Sequence, residues 1–208
     1  MRITRRLEFD AGHRIPDHLS QCRHLHGHRY AIEITLAGDI IRQSGSSLNG
    51  MVMDFSDIKT LAKQNLVDAW DHAFLVWRGD SDLLSFLESL PGHKTIVLEV
   101  VPTAENLAAL AFDLLDRVYR DSYGNHLRLE QVRLYETPNC WADAVRGELR
   151  VAVAHPLSLT SGAEEFQCCL ACERQVRFLH RKVDVLAFAG AVAMTNRRHD
   201  RREGVEAC

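Results

Sequence analysis

Several protein classes are set aside by what this sequence lacks. It has no basic surplus, since 25 Lys and Arg face 28 Asp and Glu for a formal net charge of −3, so nothing marks nucleic acid as the main partner. No apolar run reaches the roughly 20 residues of a membrane-crossing helix. The longest, Val183 to Met194, contains Asp184 and reads as buried helix. The first residues, Met1-Arg-Ile-Thr-Arg-Arg, carry charge where a secretory signal needs an apolar core, and the expected location is the cytoplasm. The six cysteines are unevenly placed, at positions 22, 140, 168, 169, 172 and 208, unlike a secreted disulfide framework, and are expected to be reduced thiols. There is no Gly-rich dinucleotide fingerprint, no internal repeat and no long low-complexity stretch.

What is present suits a globular chain: 46% hydrophobic and 25% charged residues over 208 positions, enough for a core. Arg2 to Phe9 alternates imperfectly and His28 to Gly38 puts Tyr30, Ile32, Ile34 and Leu36 on one face, which predicts two antiparallel strands. The His-rich segment Gly12 to Gly27 lies between them as a long loop. Asp54 is an N-cap candidate for a helix to about Asp68, and Leu83 to Leu90 predicts a short helix stopped by Pro91-Gly92. Thr95 to Val101 reads as a strand, Thr103-Ala-Glu-Asn opens a helix through Val118, and Leu127 to Thr137 gives a fourth strand. The class is α+β, an antiparallel four-stranded sheet with two main helices on one face. A change in composition near His155 divides residues 1–155, one domain, from a C-terminal extension over 156–208, expected to be helical.

The densest chemistry is Cys22-Arg-His-Leu-His26-Gly-His28, with His13 nine residues before Cys22. Two apart on a strand, His26 and His28 project to the same face, and His13 completes a three-imidazole set with an open fourth position suited to catalytic zinc. Eleven histidines also produce His-x-His pairs by chance, and His24 is a rival ligand, a surface residue or a decoy. Cys22 is a small buried hydrophobe or, beside a cation that favours the thiolate, a proton acceptor. Asp71-His72 is a proton relay or a helix-end pair. Glu105 fits a capping box begun by Thr103, and Glu136 is a solvated strand end or a ligand anchor. In the extension, Cys169-x-x-Cys172 with Cys168 and His180 is a weak metal motif, better read as a structural or interface helix; the Arg-rich end after Arg197 reads as solvated.

In this order, Phe9-Asp-Ala-Gly-His13, Cys22-x-x-x-His26-Gly-His28, Asp54-Phe, Asp71-His72, Pro102-Thr-x-Glu105-Asn106 and Tyr135-Glu136-Thr resemble the 6-pyruvoyltetrahydropterin synthase family. The resemblance runs from Met1 to about Gly147. It implies the tunnel-fold, in which protomers, usually six alike, join their sheets into a barrel with active sites between subunits. It implies zinc on His13, His26 and His28, and Cys22 as proton acceptor. His72 would relay protons with Asp71 orienting it, Glu136 would anchor the pterin and join the relay, and Thr103 and Glu105 would contact the pterin.

The three residues between Cys22 and His26 are similar to the spacing of the bacterial 6-carboxytetrahydropterin synthase branch. This implies a zinc-dependent lyase that converts 7,8-dihydroneopterin triphosphate to 6-carboxy-5,6,7,8-tetrahydropterin with release of acetaldehyde and triphosphate, on the 7-deazaguanine and queuosine route. A pyruvoyltetrahydropterin synthase or pterin aldolase using the same pocket, and a noncatalytic zinc- or pterin-binding module, are the competing readings. Val76 stands where the family often has Asn, a departure that concerns local packing.

Overall fold

Strand alternation organises the first 38 residues. In the computed structural model, which describes residues 1–148, β1 (Arg2–His13) and β2 (His26–Gly38) pair antiparallel from Arg2↔Ala37 to His13↔His26. Cross-strand partners share a face. Phe9 with Tyr30, Ala11 with His28 and His13 with His26 therefore look to the core side, while Asp10 and Arg29 look to the other. The strands run further than their alternation suggests, so the expected loop Gly12 to Gly27 shrinks to residues 14–25 and His13 sits on a strand. The two glycines at the closing end allow this close approach. A Cβ on Gly12 would stand 2.6 Å from a Phe74 ring carbon, and one on Gly27 2.9 Å from the Ala11 carbonyl oxygen.

The sheet has six strands, not the expected four, and it is mixed rather than wholly antiparallel, in the order β4-β3-β1-β2-β5-β6. β3 (Ala73–Trp77) runs parallel to β1, and β4 (Thr95–Leu98) parallel to β3. β5 (Leu127–Thr137) and β6 (Cys140–Val145) extend the other side antiparallel. The two additional strands have physical reasons for leaving little trace. β3 is five apolar residues with no alternation, and β6 is a short edge strand containing two alanines and an aspartate, residues of low strand preference. β4 ends at Leu98, three residues before the expected Val101.

The helices follow their caps. α1 (Phe55–Ala62) starts at Asp54, whose carboxylate accepts the Ser56 N–H at 2.7 Å; a π-helical turn, Lys63–Val67, and α2 (Asp68–Trp70) carry it to the start of the Asp71-His72 corner. α3 (Ser81–Glu88) is capped by Asp80, and α4 (Ala104–Tyr123) by Thr103, which accepts the Asn106 N–H. Asn106 thus holds the third helical position, and Glu105 does not form the expected capping box. Ile58, Leu66, Leu107, Ala111 and Leu115 bury themselves with Ile32, Ile34, Val132 and Leu134 of the sheet. Each of the buried Leu, Ile and Val side chains contributes about 1.5–3 kcal/mol relative to exposure. Val76, the family departure, packs in a separate small cluster with Leu83 and Leu87.

Among the described residues no helix is long and apolar enough to cross a membrane. The extension 156–208, with its Cys169-x-x-Cys172 and Arg-rich end, lies outside the described residues.

Candidate active site

The last rung of the β1–β2 ladder makes the centre of the site. His13 and His26 face each other across it and His28 follows two residues on, with ring centroids 4.5, 5.2 and 4.9 Å apart for the pairs 13–26, 13–28 and 26–28. One nitrogen from each ring lies within 4.8 Å of the others. Backbone carbonyls select the tautomers. His13 donates its Nδ1–H to the Pro102 carbonyl at 2.7 Å, and His26 donates its Nδ1–H to the His24 carbonyl at 2.7 Å. Both rings are left with a bare Nε2. His24 itself is exposed, and its ring is outside the cluster.

The Nε2 atoms of His13 and His28 are buried and have no hydrogen-bond partner among the described residues. Burial pushes both imidazoles below their ordinary pKa, against the opposing pull of Glu136. Neutral rings with convergent lone pairs are what a zinc site requires, so the residues present fit that ion.

Other groups close around this centre. Glu136, near the end of β5, places a carboxylate oxygen 3.4 Å from His13 Nε2 and 4.0 Å from His28 Nε2. Cys22 is a free, half-buried thiol in the single 3-10 turn Gln21–Arg23, and its carbonyl accepts the Ile15 N–H at 2.8 Å, which folds the loop back on itself. Arg14, directly after His13, forms a two-pronged ion pair with buried Asp80 at the start of α3 and so anchors the root of that loop. Thr103 and Glu105 lie one and three residues beyond Pro102, whose carbonyl fixes His13, and Thr103 is occupied in capping α4. The sequence signalled neither the Arg14–Asp80 pair, which depends on a contact 66 residues apart, nor Tyr30, which the periodicity placed only in the core.

Asp71 and His72 do not join this group within one chain. They cluster with Asp10, whose side chain points away from His13 by strand alternation. Asp71 takes the Asp10 N–H at 3.0 Å and His72 Nδ1 at 3.0 Å, and Arg29 makes two hydrogen bonds to the Asp10 carboxylate. His72 has a left-handed backbone, φ 57°, fixed by its N–H to the Asp10 carbonyl, and its side chain is 77% exposed. The hydrogen bond that Asp71 accepts from the Asp10 N–H holds its carboxyl below the ordinary range, and the Arg29 guanidinium does the same for Asp10.

Comparison with known proteins accounts for this arrangement of residues. The family model described as 6-pyruvoyl tetrahydropterin synthase matches residues 2–147. A 6-carboxy-5,6,7,8-tetrahydropterin synthase of Rickettsia bellii is 38% identical over 144 residues, 69% of this chain and 99% of that protein. The protein of the same description from Haemophilus influenzae is 30% identical over 145 residues, 68% of this chain and 96% of its own length. In fold, the crystal structure of an uncharacterized Wolinella succinogenes protein superposes with a TM-score of 0.57 at 22% identity, covering 70% of this chain and 98% of that one. With the match spanning every strand and helix among the described residues and all three converging histidines, the chain belongs to the 6-pyruvoyl tetrahydropterin synthase family.

Proposed function

We propose that the protein converts 7,8-dihydroneopterin triphosphate and water to 6-carboxy-5,6,7,8-tetrahydropterin, acetaldehyde and triphosphate. The observation that carries the reading is the convergence of three imidazoles, two with buried Nε2 atoms that have no hydrogen-bond partner among the described residues, beside Glu136. The names of the relatives and the Cys22-x-x-x-His26 spacing favour the carboxypterin product over a pyruvoyl one.

His13, His26 and His28 would hold zinc, which when bound supplies Lewis acidity toward the oxygens of the substrate side chain. Cys22 takes a proton from the carbon next to the ring, and removal of a second proton, from the next carbon along, expels triphosphate from the third carbon by elimination. Glu136 accepts two parallel N–H bonds from the amino-pyrimidinone edge and orients the ring, with Thr103 and Glu105 contacting it alongside. Carbon–carbon cleavage then releases acetaldehyde. Asp71 and His72, which face away from the triad in their own chain, serve the site of a neighbouring copy, where Asp71 orients the His72 ring and His72 returns protons. The same reading makes the assembly a homohexamer whose sheets join into a barrel, working in the cytoplasm on the route to 7-deazaguanine and queuosine.

The test is to incubate the zinc-loaded protein with 7,8-dihydroneopterin triphosphate and identify products by mass spectrometry, with Cys22→Ala alongside. Carboxytetrahydropterin and acetaldehyde from the wild type alone are the expected outcome. A pyruvoyl product would move the protein to the sister activity. Zinc and a folded oligomer without turnover would leave a binding module.

A further inference from the structure

The reaction as derived leaves one buried polar group unused. Tyr30 lies on β2 opposite Phe9 and is 0% exposed. Its ring stacks on Phe9 at 5.3 Å and meets His13 and His28 edge-on at 5.9 and 5.7 Å. The phenolic oxygen is buried and has no hydrogen-bond partner among the described residues. Tyr119, the other fully buried tyrosine of the core, is satisfied, donating to the Ile58 carbonyl at 2.9 Å.

That contrast matters because a buried hydroxyl without a partner costs desolvation and returns nothing, whereas phenylalanine would keep the stack on Phe9 and strand no polar atom. The neighbours narrow the purpose. The ring meets two members of the histidine triad edge-on, so the unpartnered hydroxyl belongs to a side chain packed directly against the triad. A proton donor fixed beside the triad, with its own partner missing, is arranged for an oxygen that arrives with the ligand.

We propose that the Tyr30 hydroxyl donates a hydrogen bond to a hydroxyl oxygen of the substrate's C6 side chain, making it a binding residue that reads the hydroxylated side chain rather than the pterin ring. The inference rests on the pterin reading above. When the side-chain hydroxyl gives up its proton ahead of carbon–carbon cleavage, negative charge grows on that oxygen, and a donor already in place strengthens its bond without reorganising. Ring recognition stays with Glu136, so the two functions are separable by ligand.

The test uses full-length Tyr30→Phe and two unreactive probes, 7,8-dihydroneopterin, which carries the hydroxylated side chain, and 7,8-dihydropterin, which lacks it. Affinity is read by titration, alongside zinc content, melting temperature and turnover of the triphosphate. The variant should keep its zinc, melt at or above the wild-type temperature, and bind dihydropterin as the wild type does. It should bind dihydroneopterin about 10-fold more weakly and turn over about 100-fold more slowly. Equal dihydroneopterin binding and wild-type turnover would overturn the inference while leaving the pterin reading intact. Loss of zinc, or equal weakening toward both probes, would overturn it too by assigning the hydroxyl to the triad or the fold. A wild type that binds neither probe overturns the pterin reading and this inference with it.

Discussion

Two clusters of ionisable side chains among the described residues, one of three histidines and one of two aspartates with a histidine, differ in how complete they are. His13, His26 and His28 stand on paired strands, their tautomers set by backbone carbonyls of the same chain. His72 stands at a corner with a left-handed backbone, exposed, beside two carboxylates on the opposite side of the sheet. One cluster is finished by the fold that carries it; the other presents a prepared acid–base pair outward. On the proposed function, a single protomer builds the metal-binding half of a site and displays the relay half for a neighbouring copy.

Breaking the finished half gives the largest effect. His26→Ala removes a ligand, and metal analysis of the purified variant should find little zinc and no measurable turnover. Cys22→Ala leaves the triad alone, so zinc content should hold while kcat falls about 100- to 10,000-fold, as for loss of a general base. The comparison is sharpened by mixing. Cys22→Ala and His72→Ala, each inactive alone, should regain about one quarter of wild-type activity after co-refolding in equal amounts, since random assembly gives that share of sites both intact groups. If His72 acted on its own chain's triad, the mixture would stay inactive.

Smaller effects concern the loop between the halves. Asp80→Asn breaks the buried pair with Arg14 and should cost about 2–3 kcal/mol in denaturant unfolding, at the lower end for such pairs because Arg14 is partly exposed. Arg14 holds Asp80 below its ordinary value of 3.8, so the native state resists protonation there. That stability is complete above about pH 3.8 and is lost as pH falls through the lower folded value, so the wild type should show an acid limb that the variant lacks. Smallest of all, Arg29→Ala removes an exposed ion pair to Asp10 and should leave the melting temperature unchanged in ordinary salt.

The sequence made the triad legible because ligand spacing and strand periodicity coincide: His26 and His28 are two apart, and a strand presents such residues on one face. Caps made α1 and α4 legible in the same local way. β3 and β6 were not, since a five-residue apolar run and an alanine-containing edge carry no period to read. The face on which Asp71 and His72 appear depends on β3 pairing parallel with β1, a contact between distant segments, and Tyr30 reads as core until its missing partner is seen in three dimensions. Glu105 falls one position short of a capping box, because with Thr103 as the cap the third helical position is Asn106.

The carbonyl of Pro102 gives the site a component that side-chain mutagenesis does not reach. It belongs to the connector entering α4, yet it orients the His13 ring. Replacing residues 102–106 one at a time leaves that oxygen in every variant, so an alanine scan would pass over it. Inserting or deleting one residue in the connector would instead turn the ring, so that the proposed pterin-contacting segment and the proposed metal ligand are linked through main chain alone.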